Sequence, residues 1–150
     1  MPACVELRLP SRPEFVGVAR LTVAGVASRM SFDVEAIEDI KVAVSEACTN
    51  AIEHGCPSAD CSAESIFLCC ELEEDVLVIT VQDPGIGFEP IISPPPTGGG
   101  TVIDPPLTEG GLGLLLIEAL MDEVTISSRP EDGTRVRMVK RLRASTVEER

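Results

Sequence analysis

Residues 88–111 carry three consecutive prolines at 94–96, three consecutive glycines at 98–100 and a further pair at Pro105 and Pro106. Proline lacks the amide donor that helices and inner strands use, and glycine loses more conformational entropy than any other residue when ordered into either. The stretch is therefore predicted as a loop. A loop this long inside a compact chain is ordinarily functional or disordered. It leaves two regular parts, one before and one after. With 150 residues in all, the chain suits a single domain over 1–150, so the two parts are expected to share one core.

Periodicity supplies the elements. Residues 4–9 alternate as a strand, and a helix is predicted near 13–29. Ser11 and Glu14 bracket Pro13 there in a capping-box pattern, and Phe15, Ala19, Val23 and Val26 recur at helical spacing. Asp33 is placed to cap a second helix reaching about His54, with Ile37, Ile40, Val44, Ala47, Cys48 and Ala51 as its apolar stripe. Ser65–Glu71 and Asp75–Gln82 read as a hairpin. A third helix over 111–122 follows the loop, then strands Val124–Ser128 and Thr134–Leu142. Short turns make consecutive strands antiparallel. Helices lying between strand pairs imply an α/β sandwich: a mixed, mainly antiparallel sheet with helices on one face.

Composition narrows the function. Aromatic residues number only four, Phe15, Phe32, Phe67 and Phe88, so the core must be aliphatic. The net charge of −13 opposes direct binding to a phosphate backbone and favours a basic partner. No apolar run is long enough to span a membrane, and the first residues read as a strand entering a helix, not as a targeting segment. A cytoplasmic location is expected, with the six cysteines reduced. Cys4, Cys48, Cys69 and Cys70 are expected to pack as small hydrophobes. Cys56 and Cys61 flank a loop next to His54, where a metal would lack a clear fourth ligand.

Three short motifs carry chemistry. Glu46, Asn50 and His54 are spaced four apart on the second helix, so they share a face. That face lies roughly 130° around from the apolar stripe at about 100° per residue. Asn50 is a mediocre helix former, but its amide oxygen is a hard donor suited to Mg²⁺. Asp83 ends a strand and precedes Gly85 and Gly87, which permit close backbone approach. A carboxylate there can accept a hydrogen bond from the exocyclic amine of a base. Finally, Gly110, Gly111 and Gly113 open the third helix, where free amides and the helix dipole favour phosphate. No Walker lysine follows, and the glycines come after a loop, not after a strand of a βαβ unit.

In this order, ExxxN on a helix, DxGxG after a strand, GxG before a helix and Gly133-Thr134 in a late turn resemble the GHKL ATPase superfamily. Within it, the segments PEFVGVARLTVAGVASRM, EAIEDIKVAVSEACTNAIEHG and TEGGLGLLLIEALMDEV are similar to bacterial anti-sigma-factor serine kinases of the RsbW and SpoIIAB type. The resemblance covers nearly the whole chain and implies a Bergerat-type fold, with 88–111 as the ATP lid. The lid ends in Glu109-Gly110-Gly111, as in the stress-response branch. The sporulation branch has an arginine where Glu109 stands, and Arg135 and Lys140 are not obvious substitutes for it.

The resemblance further implies ATP and Mg²⁺ as cofactors, with Asn50 as the Mg²⁺ ligand and Glu46 as the general base toward a substrate hydroxyl. Asp83 would bind the adenine amino group, and Thr134 would support adenine through water. Gly85, Gly87, Gly111 and Gly113 would shape the pocket and lid, and Arg20 matches a partner-contact position. The implied partners are a sigma factor, held inactive, and a small STAS-type anti-anti-sigma protein phosphorylated on serine. A homodimer is implied too. Two other readings stand beside this one. One is a nucleotide-gated binding module without transfer, which would not require Glu46. The other is a kinase acting on a different regulatory protein, including the catalytic half of a split histidine kinase.

Overall fold

The computed structural model describes residues 3–55, 65–83, 92–93, 102–103, 109–129 and 133–143. Strand β1 (Ala3–Pro10) leads through a single 3₁₀ turn at Pro13–Phe15 into α1 (Val16–Arg29), followed by α2 (Val34–Gly55). Strands β2 (Ser65–Leu72) and β3 (Val76–Gln82) come next, then two short strands, β4 (Ile92–Ser93) and β5 (Val102–Ile103). Helix α3 (Glu109–Leu120) and strands β6 (Glu123–Arg129) and β7 (Gly133–Arg141) complete the order. The long strands form one sheet in the order β1-β2-β3-β7-β6.

The sheet, expected as mixed and mainly antiparallel, is antiparallel at all four pairings. The loop and α3 bring the last hairpin back onto the free edge of β3, so β3 and β7 run oppositely although 50 residues separate Gln82 from Gly133 in sequence. The segment expected to be loop throughout holds one local pairing, Ile92 with Ile103 and Ser93 with Val102.

Alternation decides the faces of the sheet. Ile66, Leu68 and Cys70 of β2, Leu77, Ile79 and Val81 of β3, and Val136 and Met138 of β7 are buried toward the helices. Ala19, Val23, Val26 and Ala27 of α1 and Ile40, Ala43, Val44, Ala47 and Cys48 of α2 close over them. This is the aliphatic core that four phenylalanines left as the only option. Cys48 and Cys70 lie within it, and burial pushes each thiol up to about 12. Cys4 departs from expectation: it is exposed, on the outer face, because β1 is an edge strand whose even-numbered residues point away from the helices.

Two helix ends show how local chemistry sets the boundaries. Ahead of α1 the expected Ser11–Glu14 capping box does not form; Arg12 caps the 3₁₀ turn and Phe15 the helix itself, neither with a side-chain cap bond. Glu14 lies 3.8 Å from the Arg12 guanidinium instead, and that guanidinium stands over the Phe15 ring. At α2, Asp33 caps as expected, Oδ1 accepting from the Ala36 amide at 2.8 Å.

The end of α1 is a Schellman motif. The Phe32 amide donates to the Ala27 carbonyl and the Ser31 amide to that of Ser28. Ser31 holds the left-handed conformation at φ +72°, a position normally given to glycine. Phe32 is thereby driven into the core. Ser31→Gly should stabilise the fold by about 0.5–1 kcal/mol, since it relieves backbone strain while keeping both bonds. A rise in the urea midpoint at constant slope is the expected result.

Candidate functional site

Helix α2 has two working faces. Its apolar stripe lies on the sheet, and Glu46 and Asn50 are half-buried on another side, where α3 packs. The contact is close because Gly113 faces them. A Cβ at 113 would stand 2.7 Å from Glu46 Oε1, 3.3 Å from Asn50 Nδ2 and 3.6 Å from Asn50 Oδ1. A side chain at 113 would have to displace the Glu46 carboxylate from where it stands. Gly111 lies two residues earlier in the same helix, among the amides that have no intrahelical acceptor. A carboxylate and an amide oxygen, both hard donors, thus converge beside a helix start. That donor set fits a Mg²⁺-bound triphosphate.

The second constellation closes the sheet. Asp83, immediately after β3, is 2% exposed, and its amide donates to the Thr134 carbonyl at 3.0 Å. Thr134 is also buried. Gly133 holds φ +80°, and a Cβ there would lie 1.9 Å from the Asp83 carbonyl oxygen and 2.9 Å from Oδ1. Glycine at 133 is therefore a steric requirement for seating the Asp83 carboxylate, and the sequence shows it only as the end of a turn.

Lys140 ties α2, α3 and β7 together at another place. It projects inward from β7, donates to the Leu120 carbonyl at the end of α3 at 2.6 Å and pairs with Asp39 of α2 at 3.6 Å. The start of α2 is thus fixed over the end of β7, with α2 packed on both β3 and β7. From Asp39 to Asn50 the helix rises about 16 Å, and from Lys140 back to Thr134 the strand spans about 20 Å. Lys140 therefore stands well away along α2 from Asn50 and along β7 from Thr134.

The structure thus brings Glu46, Asn50 and Gly113 together, and Asp83 together with Thr134. Arg20 stands apart, exposed on α1 near exposed Leu21. Gly85, Gly87, Cys56 and Cys61 lie outside the described residues, as does most of the expected lid. Arg135 is on the outer face of the sheet, 3.4 Å from Gln82 Oε1. Lys140 serves the opposite end of α3 from its glycines, so neither stands in for the lid arginine. The α2–α3 contact through Gly113 was not foreseen; its signal was a third glycine inside a helix that is otherwise rich in leucine.

The chain is similar to known proteins along most of its length. The family profile of the histidine kinase-like ATPase domain matches residues 9–140. The serine-protein kinase RsbW of Bacillus pumilus is 41% identical over 146 residues, 96% of this chain and 89% of that protein. The RsbW kinase of Bacillus subtilis is 42% identical over 148 residues, with the same coverages. In three dimensions, the crystal structure of the RsbU and RsbW domains of a Mycobacterium tuberculosis protein superposes with a TM-score of 0.67 at 22% identity. It covers 93% of this chain and 32% of that one.

The fold and site define an ATPase domain of the histidine kinase-like (GHKL) class. Within that class, the chain belongs to the RsbW family of serine-protein kinases.

Two substitutions test the site. Gly113→Ala replaces a helical glycine and should leave stability unchanged or raise it by up to about 1 kcal/mol. Its methyl group must displace Glu46 or Asn50, so kinase turnover should fall about tenfold or more even though the fold is intact. Thermal melts beside steady-state kinetics check both signs. Asp83→Ala removes a buried carboxylate; if that carboxylate accepts from a base amine, a contact worth about 1.5–3 kcal/mol for a charged group is lost, and ATP should weaken about 10- to 150-fold in titration calorimetry.

Proposed function

We propose that this protein is an anti-sigma factor that uses Mg-ATP to phosphorylate a serine of a small STAS-type anti-anti-sigma protein. The carrying observation is the placement of Glu46 and Asn50 side by side, one helical turn apart, under the glycine-bearing start of α3. A carboxylate one turn from an amide oxygen divides the labour of phosphoryl transfer, where positioning and electrostatics supply most of the acceleration. RsbW kinases at 41–42% identity over nearly the whole chain support the serine hydroxyl as acceptor.

In this mechanism Asp83 accepts from the adenine amino group, and Thr134 supports the ring through water. Asn50 Oδ1 would hold Mg²⁺. Held there, the ion would supply neutralisation of the phosphate charge. The amides of the first turn of α3 would face the γ-phosphate, with Gly111 and Gly113 allowing close approach. Glu46 takes the proton of the attacking serine. Gly85 and Gly87 would complete the pocket. The sigma factor would be held in a separate contact that includes Arg20, and the net charge of −13 would favour basic surfaces on that partner. A homodimer in the cytoplasm completes the proposal. Among the described residues, no helix is long and apolar enough to cross a membrane.

Glu46 and Asn50 should separate by their kinetics. Glu46→Gln should bind Mg-ATP almost normally but transfer phosphate about 10²- to 10⁴-fold more slowly, because a base acts on the hydroxyl and contributes little to nucleotide affinity. Asn50→Ala should lose Mg²⁺-dependent affinity and rate together. Radiolabel transfer to the partner, measured beside nucleotide binding on the same preparations, distinguishes them. Wild-type transfer by Glu46→Gln would remove Glu46 as the base. Absence of transfer by the unaltered protein would leave a nucleotide-gated binding module.

A further inference from the structure

The face of the sheet turned away from the helices carries a cluster that phosphoryl transfer does not use. On β1 it presents Cys4 and Glu6, and on β2 it presents Cys69 and Glu71. Cys4 is directly opposite Glu71, and Glu6 is directly opposite Cys69. The two thiols are diagonal neighbours with Sγ atoms 3.2 Å apart, and both are free. One ligand atom from each of Cys4, Glu6 and Cys69 lies within 4.8 Å of the others. Cys4 and Glu6 are exposed and Cys69 is half-buried.

We propose that Cys4, Glu6 and Cys69 form a binding site for a thiophilic divalent cation such as Zn²⁺, with water as the fourth ligand. Three arguments favour a cation over a disulfide. First, diagonal cross-strand neighbours have Cβ atoms somewhat under about 7 Å apart, whereas a relaxed disulfide needs about 3.8 Å. Bonding the sulfurs would require the strands to move. Second, two thiolates on one tetrahedral Zn²⁺ at about 2.3 Å stand roughly 3.8 Å from each other, which small χ1 rotations from the present geometry supply. Glu6 lies two residues along the same strand face as Cys4, so all three donors sit on extended, hydrogen-bonded backbone.

The third argument is electrostatic. Glu6 lies directly opposite Cys69 and Glu71 directly opposite Cys4, so two carboxylates flank the two thiols. Negative charge gathered in this way attracts a divalent cation, which deprotonates the thiols it binds. Arg8, the cation two residues further along β1, is turned to Ser65 Oγ at 3.4 Å and to the Phe67 ring. Binding exchanges two S–H bonds for two metal–sulfur bonds and releases two protons to solvent, so affinity should rise with pH. The bound ion would tie the edge strand β1 to β2, with no contact to the α2–α3 site.

The test uses the reduced full-length chain and Cd²⁺ alone as probe, read by thiolate-to-metal charge-transfer absorption, with Zn²⁺ as competitor. Cys56→Ser/Cys61→Ser is run in parallel. The expected result is one Cd²⁺ per chain, displaced by Zn²⁺, with about two protons released per ion and full retention in the Cys56→Ser/Cys61→Ser protein. Cys4→Ser and Cys69→Ser should abolish the band while circular dichroism stays native. Glu6→Gln, at an exposed position, should weaken binding at least about tenfold. No band in the wild type, loss of the band in Cys56→Ser/Cys61→Ser, or undiminished binding by Cys4→Ser would each overturn the assignment.

Discussion

The arrangement depends on how closely α3 can approach α2. Helix α2 gives its apolar stripe to the sheet and would otherwise leave Glu46 and Asn50 to water. Helix α3 covers that side, and the missing side chain of Gly113 leaves room there for the Glu46 carboxylate and the Asn50 amide. A larger residue would force the carboxylate and amide to new rotamers. The glycine thus sets where the donors of α2 can stand beside α3. A fixed placement of this kind is what phosphate chemistry exploits, because misplacement by about 1 Å can cost two orders of magnitude in rate.

A second steric constraint acts at the end of the sheet. The Asp83 amide pairs with the Thr134 carbonyl, and Gly133 adopts a left-handed conformation against the Asp83 backbone. The carboxylate is held in a buried position by strands distant in sequence. Away from both constellations, Lys140 joins the end of α3 to the start of α2.

Much of this could be read before the coordinates. The period of 3.6 in Ile37, Ile40, Val44, Ala47 and Ala51 located α2, and Asp33 located its start. Alternation located the five long strands within a residue or two. Asn50 and Asp83 were legible because each is a poor choice for its local structure: an amide in mid-helix and a carboxylate at the end of an apolar strand. What could not be read was whatever depends on contacts between distant segments. The register of β3 on β7, the approach of Gly113 to Glu46 and the collision that forbids a side chain at 133 arise only when segments tens of residues apart meet. The Ser11–Glu14 capping box failed for a local reason, since the Arg12 guanidinium offers Glu14 a partner that the pattern ignores. Cys4 was misplaced because edge strands expose residues that the same alternation would bury in a central one.

The account rests on Gly113 acting through Glu46, and a double-mutant cycle on phosphotransfer tests that link most directly. Rates are measured for the unaltered chain, Gly113→Ala, Glu46→Ala and the double variant. If the methyl group at 113 slows transfer by displacing the carboxylate, it has nothing left to displace once Glu46 is gone. The account predicts strong non-additivity, with the double variant no slower than Glu46→Ala alone. Additive losses would contradict it and would show that the glycine and the glutamate act independently.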